Sequence, residues 1–343
     1  PRSCKRLGIA TDFVTYGSDD ERKFASRLPG IGIHFNRFGL GGKRYERFAP
    51  LLQAPTFWKA DVVKTNQVSS WRIAVPAARV WRKPLLARAG FLPSVQAEWE
   101  SGKNSPEWHE AISEEAALFS KASAAAVTTP DLAQALSSRI PALASNLHVV
   151  PNYVDTKRFA PEPHAVKDID VLFVGRLAKQ KNLPALLEAL AGAKLSVAFV
   201  GQGSEQDLLG NFSHSYSGRF QWLERVAHHD LPALYNRACL LVLPSLWEGQ
   251  PKVLLEAMAC GTPVLGADAP GIRDQIVHQR TGWICPGNAA GLKQAFEILL
   301  PDAGLLSRLG GNARQHILET CSLEAVAAKE AALIRQLADR RDP

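Results

Sequence analysis

Short apolar runs alternate with helix-like stretches throughout the second half of the chain. The runs at 170–175 (DVLFVG) and 195–200 (LSVAFV) are rich in β-branched and aromatic residues, which is typical of buried strands. The stretches at 183–190 and 252–260 have apolar residues at helical spacing. This alternation predicts a parallel sheet covered by helices on both faces. Further strands are predicted at 220–223, 239–243, 263–266 and 283–284, further helices at 231–237 (with Asp230 as N-cap) and 289–300, and the segment 272–277 continues the alternation.

The first half shows the same alternation more weakly. Strands are predicted at 60–63, 83–87, 124–128 and 148–150, and an alanine-rich helix at 113–126 runs into the third of them. The fold class predicted is therefore α/β, with two Rossmann-like domains that face each other across a cleft. The predicted boundaries are 1–150 for the first domain, 151–168 for a proline-containing linker, 169–321 for the second domain and 322–343 for a C-terminal helix that crosses the junction.

The composition is that of a soluble globular protein, with 46% hydrophobic and 21% charged residues. No apolar run approaches the roughly 20 residues of a membrane-spanning helix, and residues 1–6 lack the apolar stretch that follows the charges of a secretory signal. The five cysteines form no CxxC pair, which favours a reducing compartment. We therefore predict a cytoplasmic protein, with peripheral attachment to the inner face of the membrane as an alternative.

Positive charge is concentrated in the first quarter of the chain. Residues 1–96 carry 17 Lys and Arg against 6 Asp and Glu, whereas 97–160 carry 5 against 8 and 161–343 carry 18 against 19. Such a region attracts polyanions, such as an anionic membrane surface, a phosphorylated lipid or nucleic acid, although a solubilising surface explains it equally well. The segment 71–88 interleaves two tryptophans with basic residues. It carries no recognised nucleic-acid motif and would suit an anionic bilayer.

Two loops that follow predicted strands could bind an anion. Gly175 permits a tight turn, and Arg176 and Lys181 place two cations just before a helix N-terminus, which itself attracts anions. Gly201 and Gly203 would let a ligand approach the backbone, although such glycines can also form a simple turn. Each loop alone is weak evidence for a binding site.

A third loop, at 244–251, connects a predicted strand to a predicted helix. Pro251 suits the first helical position, so the residues from Gly249 onward present backbone amides at a helix start. Glu248 precedes the helix and Glu256 lies inside it, close enough for both carboxylates to face one ligand.

Spacing alone does not distinguish this pair of glutamates. Glu107 and Glu115 are also eight residues apart, but they adjoin no predicted strand, and we interpret them as ordinary helix surface. The position of Glu248 and Glu256 between a strand end and a helix start is what indicates a site.

Four motifs of the second half occur in a fixed order, and together they resemble a known family. They are VGRL…KN from Val174, VGQG from Val200, PSLWEGQPKVLLEAMACGTPV from Pro244, and GIRDQIV…TGWICP from Gly271. Over residues 168–337 the sequence resembles the donor half of the family 4 glycosyltransferases, which are retaining enzymes of the GT-B architecture. The resemblance implies a nucleotide-sugar donor and no metal ion.

The resemblance also implies a role for each residue of these motifs. Glu248 would lie near the donor sugar hydroxyls and Glu256 would bind the nucleotide ribose. Arg176 and Lys181 would bind the diphosphate and stabilise it as it leaves. Glu248, Arg176 and Lys181 are therefore the predicted catalytic residues. Further donor-binding contacts are predicted at Gly175, Gly201, Gly203, Gly249, Pro251, Lys252 and Val253.

The first half resembles the family more loosely. Asn66 stands where many members carry histidine, and Ala89 replaces the histidine of a His-Gly pair near the reacting carbon. Asn66, Gln67 and Arg88 are therefore the predicted acceptor-side contacts. The family's first strand and glycine-rich loop would precede Lys5, so the first domain is predicted to be truncated at its start.

Three hypotheses follow for function. The favoured one is a retaining, metal-independent glycosyltransferase. It would move a sugar from a UDP-, GDP- or similar nucleotide sugar to a hydroxyl of a glycan or lipid-linked acceptor, in surface polysaccharide or glycolipid synthesis. The second, motivated by Ala89 and by the start of the chain, is a catalytically incomplete protein that binds nucleotide sugar or needs a partner. A nucleic-acid-binding protein is the least favoured, so nucleic acid is not among the predicted partners.

Overall fold

The computed structural model describes residues 6–17 and 31–340. Cys4 and the predicted truncation before Lys5 lie outside the described residues. The described chain divides into two compact units. The first unit contains the residues up to Val150 together with those from Ala327 onward, and the second unit contains Pro151–Val326.

The described strands are short, and each pairs in parallel with its neighbours. In the first unit they are β1 (Asp12–Val14), β2 (Gly32–His34), β3 (Val63–Lys64), β4 (Leu85–Ala89), β5 (Ala124–Val127) and β6 (Leu147–Val149). In the second unit they are β7 (Ile169–Val174), β8 (Ser196–Val200), β9 (Arg219–Leu223), β10 (Ala238–Leu243), β11 (Val264–Ala267) and β12 (Trp283–Cys285). The strands β1 and β2 form a separate pair, and β3 to β6 form a four-stranded sheet in chain order.

Helices follow most strands, as parallel pairing requires. The helices before Val150 are α1 (Gly42–Leu52), α2 (Ala54–Lys59), α3 (Trp71–Val80), α4 (Pro93–Ser101), α5 (Pro106–Phe119) and α6 (Pro130–Arg139). The helices after Val150 are α7 (Leu183–Leu190), α8 (Gln206–Ser215), α9 (Leu231–Arg237), α10 (Lys252–Ala259), α11 (Ala289–Leu299), α12 (Ala303–Thr320) and α13 (Leu323–Asp339). Proline at the start of α4, α5, α6, α7 and α9 suits a position whose amide has no partner in the helix.

The sheet of the second unit is covered on both faces. Successive residues of β7 enter different apolar clusters: Leu172 and Val174 pack in one, Val171 and Phe173 in the other. Because side chains of a strand alternate between faces, two clusters mean two buried faces. The prediction of an α/β fold with parallel sheets is confirmed.

The strand order of this sheet reverses between β7 and β10. The order is β12-β11-β10-β7-β8-β9, so the chain builds outward from β7 on one side and from β10 on the other. In open α/β sheets, ligands bind outside the carboxyl ends of the strands at such a reversal. A ligand site is therefore expected at the loops after β7 and β10.

The periodicity does not predict α12, and the structure shows why. Gly304, Gly310 and Gly311 interrupt its apolar pattern. Gly310 lies against the end of α10, where a Cβ atom would come within 2.1 Å of the Gly261 carbonyl oxygen. Position 310 therefore requires glycine so that α12 can pack against the end of α10. Sequence periodicity cannot reveal such a contact.

Other element predictions are wrong in detail. The helix predicted at 113–126 ends at Phe119, and its last three alanines lie in the fully buried strand β5, because burial overrides the helix preference of alanine. Asp230 is the N-cap residue of α9, as predicted, but its side chain makes no capping hydrogen bond. The segment 272–277 forms turns rather than a strand or helix. The predicted linker 151–168 packs into the second unit, with Phe159 in its core.

Glu115 is not a surface residue, contrary to the prediction. It is 2% exposed, and its carboxylate accepts hydrogen bonds from the Ser94 amide at 2.8 Å, the Ser94 hydroxyl at 3.0 Å and Arg139 Nη1 at 2.6 Å. The ion pair joins α5 to α6 and to the start of α4. Glu115 is thus a structural residue of the first unit.

Candidate functional site

The loops 175–182 and 244–251 lie side by side at the reversal point of the second unit's sheet. They leave the carboxyl ends of β7 and β10, which are paired neighbours with Leu172 opposite Leu241. The fold therefore brings two of the sequence motifs together at the position where open α/β sheets bind ligands.

Lys181 and Glu248 form an ion pair between these two loops. Lys181 ends a 3-10 turn and is 9% exposed, and the Glu248 side chain is also 9% exposed. Lys181 Nζ donates to Glu248 Oε1. Because the attraction between two charges strengthens as water is excluded, this pair holds an ammonium and a carboxylate in fixed positions at the reversal point.

Gln180 ties the same two loops together through its backbone and its side chain. Its carbonyl oxygen accepts from the Leu246 amide at 2.8 Å, and its side-chain amide donates to the Trp247 carbonyl at 2.8 Å. The sequence analysis did not single out Gln180, because its partners are more than sixty residues away in the chain.

Asn182 connects a third loop to this pair. Its backbone is left-handed, with φ of 53°, and its side-chain amide donates to the Pro244 carbonyl at 3.1 Å and to the Gly287 carbonyl at 2.7 Å. Asparagine tolerates this conformation better than most residues. The loops after β7, β10 and β12 are thereby held to one another on both sides of Lys181.

Gly201 and Gly203 are required by the neighbouring loop. A Cβ atom on Gly201, whose φ is +142°, would lie 1.9 Å from the Gly175 carbonyl oxygen, and one on Gly203 would lie 2.1 Å from the Leu177 carbonyl oxygen. The Leu177 amide also donates to the Gln202 carbonyl at 2.9 Å. These glycines therefore allow the loops after β7 and β8 to touch, which fixes the shape of the site.

Gly201→Ala is expected to destabilise the protein by roughly 1–3 kcal/mol, because either the backbone or the adjoining loop must move. Gly210→Ala is the matched control, since it lies in α8 with no atom within 4 Å of the added Cβ. Alanine there should stabilise the protein by about 0.4–1 kcal/mol. Thermal melts, monitored by circular dichroism, measure the stability of both variants. Equal melting temperatures for the two variants would contradict the close contact.

The start of α10 presents backbone amides beside Glu248. Pro251 is the N-cap rather than the first helical residue, and its carbonyl accepts from the Leu254 amide at 3.1 Å. The amides of Lys252 and Val253 have no acceptor among the described residues. Together with the helix dipole, such amides attract an anion.

The loop after β11 supports the loop that carries Glu248. The Glu248 amide donates to the Pro270 carbonyl at 2.9 Å, and a Cβ on Gly271, whose φ is +76°, would lie 2.2 Å from the Glu248 carbonyl oxygen. The buried Gln250 donates to Gln275 Oε1 at 2.7 Å. The GIRDQIV motif thus supports the backbone around Glu248.

Glu256 is buried in α10 and makes two hydrogen bonds within the protein. His228 Nε2 lies 2.9 Å from its Oε1, and the Tyr235 hydroxyl donates to its Oε2 at 3.2 Å. Burial, and the nearby Glu256 carboxylate, raise the pKa of Tyr235 well above its usual value, so the phenol stays protonated and continues to donate. The sequence offered no signal for either partner.

Like Lys179, Arg176 and Lys252 are exposed cations beside these loops. No hydrogen bond or ion pair joins the Arg176 side chain to another residue in the described part of the chain. Lys252 Nζ lies 4.8 Å from the centre of the Tyr153 ring. Neither cation is neutralised by a carboxylate of the described residues, so both are available to an anionic ligand.

In the first unit, two predicted acceptor-side residues lie at adjacent strand ends. Glu330 of α13 pairs with Lys64 Nζ at 2.8 Å and with Arg88 Nε at 3.7 Å, and Lys64 also donates to Asn66 Oδ1 at 2.8 Å. Gln67 is exposed and makes no side-chain bond to the described residues. Sequence reasoning missed Lys64 and Glu330, because a helix near the end of the chain supplies the shared carboxylate.

Residues 6–17 and 31–340 contain no candidate metal site and no candidate membrane-spanning helix. Within these ranges, no three His, Cys, Asp or Glu side chains are grouped so as to hold a metal ion. In the same ranges, no helix combines the length and the apolar character needed to cross a bilayer.

The curated proteins to which this chain is similar include glycosyltransferases. The chain is 27% identical to glycogen synthase of Mycobacterium tuberculosis over 290 residues, covering 80% of this chain and 68% of that enzyme. It is 28% identical to D-inositol 3-phosphate glycosyltransferase of Salinispora arenicola over 290 residues, covering 75% and 64%. The chain thus spans about two thirds of the length of these relatives.

Solved structures show the same fold over nearly the whole chain. Sucrose-phosphate synthase from Thermosynechococcus elongatus superposes with a TM-score of 0.80 at 20% identity, covering 98% of this chain and 91% of that one. HepE from Anabaena, in complex with UDP and glucose, superposes with a TM-score of 0.77 at 18% identity, covering 95% and 91%. Both are glycosyltransferases of the GT-B fold.

The family comparison covers the described site of the second unit. Residues 154–316 match the family described as Glycosyl transferases group 1. This range contains the loops after β7, β8, β10, β11 and β12 and the helix that carries Glu256. The chain therefore has the GT-B fold, and its residues 154–316 are similar to the Glycosyl transferases group 1 family.

Proposed function

We propose that this protein transfers a sugar from a nucleoside-diphosphate sugar to a hydroxyl acceptor, with retention of anomeric configuration and without a metal ion. The bond between the anomeric carbon and the diphosphate oxygen breaks, a glycosidic bond to the acceptor oxygen forms, and the proton of the acceptor hydroxyl passes to the departing diphosphate. The shielded Lys181–Glu248 pair at the reversal point of the sheet carries this proposal.

The groups around that pair suit a diphosphate that gains negative charge as it leaves. Fixed donors aimed at developing charge stabilise a transition state, because they need no reorganisation during the reaction. Lys181, the exposed Arg176 and the amides of Lys252 and Val253 are such donors. In a metal-independent reaction they supply the positive charge that a bound cation would otherwise provide.

Two carboxylates would orient the rest of the donor. Glu248 binds Lys181 through Oε1, and Gln180 is 3.5 Å from its Oε2, so lone pairs remain for sugar hydroxyls. Glu256 keeps two of its roughly four lone-pair directions after bonding His228 and Tyr235. Ribose hydroxyls are the donors expected there.

The relatives support the proposed donor and reaction. HepE is a structural neighbour that binds UDP and glucose, and the curated relatives include an α-(1→4)-mannosyltransferase from Mycolicibacterium hassiacum. For the acceptor we propose a glycan or lipid-linked hydroxyl, as in surface polysaccharide or glycolipid synthesis, with Lys64, Asn66 and Arg88 on the acceptor side.

The test is release of nucleoside diphosphate from a panel of UDP-, GDP- and ADP-sugars. The native protein should turn over one donor, in the presence of EDTA as well as in its absence. Glu248→Gln should lower that rate at least roughly 100-fold, and Glu256→Gln should raise the KM for the donor. Glu188→Gln, an exposed carboxylate of α7, is the control and should have no effect. NMR of the product reports whether the configuration is retained.

The alternative hypothesis predicts a different outcome. Ala89 stands where the family resemblance expects histidine, which motivates a protein that binds the donor without turning it over. Nucleotide binding measured by calorimetry, with no release from any donor, would favour that protein. Absence of both binding and release would refute the proposed function.

A further inference from the structure

The helix α1 has one buried apolar stripe and one exposed face that combines apolar with basic residues. Tyr45 and Ala49 lie on the buried stripe and are 0% exposed. Arg44, Arg47, Phe48 and Leu51 follow the spacing i, i+3, i+4, i+7, which places them on one helix face, and all four are exposed. Leu51 is 61% exposed. An exposed helix face that combines large apolar residues with arginines indicates an interaction surface.

The next helix extends this surface. In α2, Phe57 is buried while Trp58 is 66% exposed, and Lys59 beside it is also exposed. We call the set Arg44, Arg47, Phe48, Leu51, Trp58 and Lys59 the aromatic–basic surface. The end of α3 adjoins it, because Trp81 donates to the Pro50 carbonyl at 2.8 Å and Lys83 to the Trp58 carbonyl at 2.7 Å.

The charge of the surface has one sign. The acidic residue of α1, Glu46, is turned away from it: its carboxylate accepts from the Tyr16 hydroxyl at 2.9 Å and lies 4.0 Å from Arg72. Asp61, two residues beyond Lys59, is the nearest acid that follows α2 in the chain. The cations of the surface are therefore not neutralised by the helices that carry them.

The start of α1 adds to the attraction for anions. Its first turn contains Lys43 and Arg44 but no acidic residue, and no side chain caps it. Cations at a helix N-terminus oppose the helix dipole, and a nearby anion relieves this. An anionic partner thus interacts favourably with the side chains and with the helix end.

We propose that the aromatic–basic surface docks the protein on an anionic lipid bilayer. Tryptophan and phenylalanine prefer the interface of a bilayer, and Lys and Arg beside them bind anionic headgroups. Leu51 and Val80, which are 61% and 53% exposed, favour lipid over nucleic acid. Aliphatic side chains gain from contact with acyl chains but little from a phosphate backbone. The proposal does not depend on the donor chemistry of the second unit.

The structure also corrects the segment assigned to such a surface. In the sequence, the segment that would suit an anionic bilayer is 71–88, where Trp71 and Trp81 stand among basic residues. Both tryptophans pack against the core of the first unit. The exposed aromatic residues lie earlier in the chain, in α1 and α2.

Co-sedimentation with vesicles tests the proposal on the full chain. The native protein should bind vesicles that contain phosphatidylglycerol, should bind phosphatidylcholine vesicles weakly, and should dissociate as salt is raised. Arg44→Glu, Arg47→Glu and Lys59→Glu combined should weaken binding by roughly 100-fold or more, at roughly fivefold for each cation lost. Leu51→Ser with Trp58→Ser should weaken it at least roughly tenfold.

A matched control lies in the same unit. Trp99 is 50% exposed on α4 and is flanked by Glu98 and Glu100, so Trp99→Ser should leave vesicle binding unchanged. Circular dichroism melts verify that the variants fold, and calorimetric titration with UDP and GDP reports the second unit separately.

Three outcomes would overturn the proposal. They are equal binding to neutral and anionic vesicles, equal loss in Trp99→Ser and in the surface variants, and binding of single-stranded or duplex oligonucleotides without binding of vesicles. The last outcome would make nucleic acid the partner of this surface. A protein that binds anionic vesicles as expected but neither binds nucleotide nor releases it from any donor would leave this inference intact and refute the proposed function alone.

Discussion

Lys181→Met is expected to lower donor turnover by roughly 100- to 1,000-fold, the usual effect of removing one preorganised donor from a developing negative charge. Methionine keeps the length of the side chain but removes the ammonium group. It also leaves the Glu248 carboxylate shielded from solvent and without its partner. This unpaired negative charge repels the diphosphate. The initial rate of nucleoside diphosphate release, measured with the donor that the native protein uses, checks this prediction.

Lys179→Met is the matched control for Lys181→Met. Lys179 lies in the same 3-10 turn but is exposed, so its loss should change the rate less than roughly threefold, as screened surface charges usually do. The double variant Lys181→Met with Glu248→Gln removes both charges, and it should recover stability but not activity. Rapid turnover by Lys181→Met would show that this lysine is structural and that the diphosphate binds elsewhere.

Glu115→Ala is expected to reduce the free energy of unfolding of the first unit by about 3–5 kcal/mol, because it leaves the Arg139 guanidinium and the Ser94 groups without their shared acceptor. Urea unfolding, monitored by tryptophan fluorescence, measures this change in the free energy of unfolding. Trp58, Trp71, Trp81, Trp99 and Trp108 lie in the first unit, so the change should appear mainly in the transition that they report.

Two further variants separate the buried ion pair from other effects. Glu110→Ala, an exposed position on the same helix, should change stability by less than about 0.5 kcal/mol. Glu115→Leu combined with Arg139→Met replaces the pair with apolar side chains and should be less harmful than Glu115→Ala, since an unpaired buried charge costs more than a missing pair. Equal destabilisation by Glu110→Ala and Glu115→Ala would contradict the buried role of Glu115.

The site loops of the second unit were accessible to sequence reasoning because their signals are local. A strand end, a glycine and a helix start lie within a few residues of one another around Arg176, Gly201 and Glu248. The partners of these residues were not accessible. His228 and Tyr235 meet Glu256, and Gln180 meets Trp247, only because the fold places separate loops and helices side by side.

The same distinction explains the wrong assignments of surface and core. Glu115 and Glu107 look alike in sequence, yet Glu115 is buried because Arg139 and Ser94 come from other helices. Trp71 and Trp81 stand among basic residues, yet they pack inward, while Trp58 is exposed. Composition and spacing describe a segment, whereas burial depends on what packs against it.

The α/β class and the order of the strands and helices in the second half follow from local patterns of apolar residues, since those patterns decide which face of each element must be buried. The strand order and the required glycines depend instead on long-range packing. The reversal between β7 and β10 depends on which strands pair. The need for glycine at 201, 203, 271 and 310 depends on which backbones touch. Such contacts join residues far apart in the chain, so no window of sequence contains both partners.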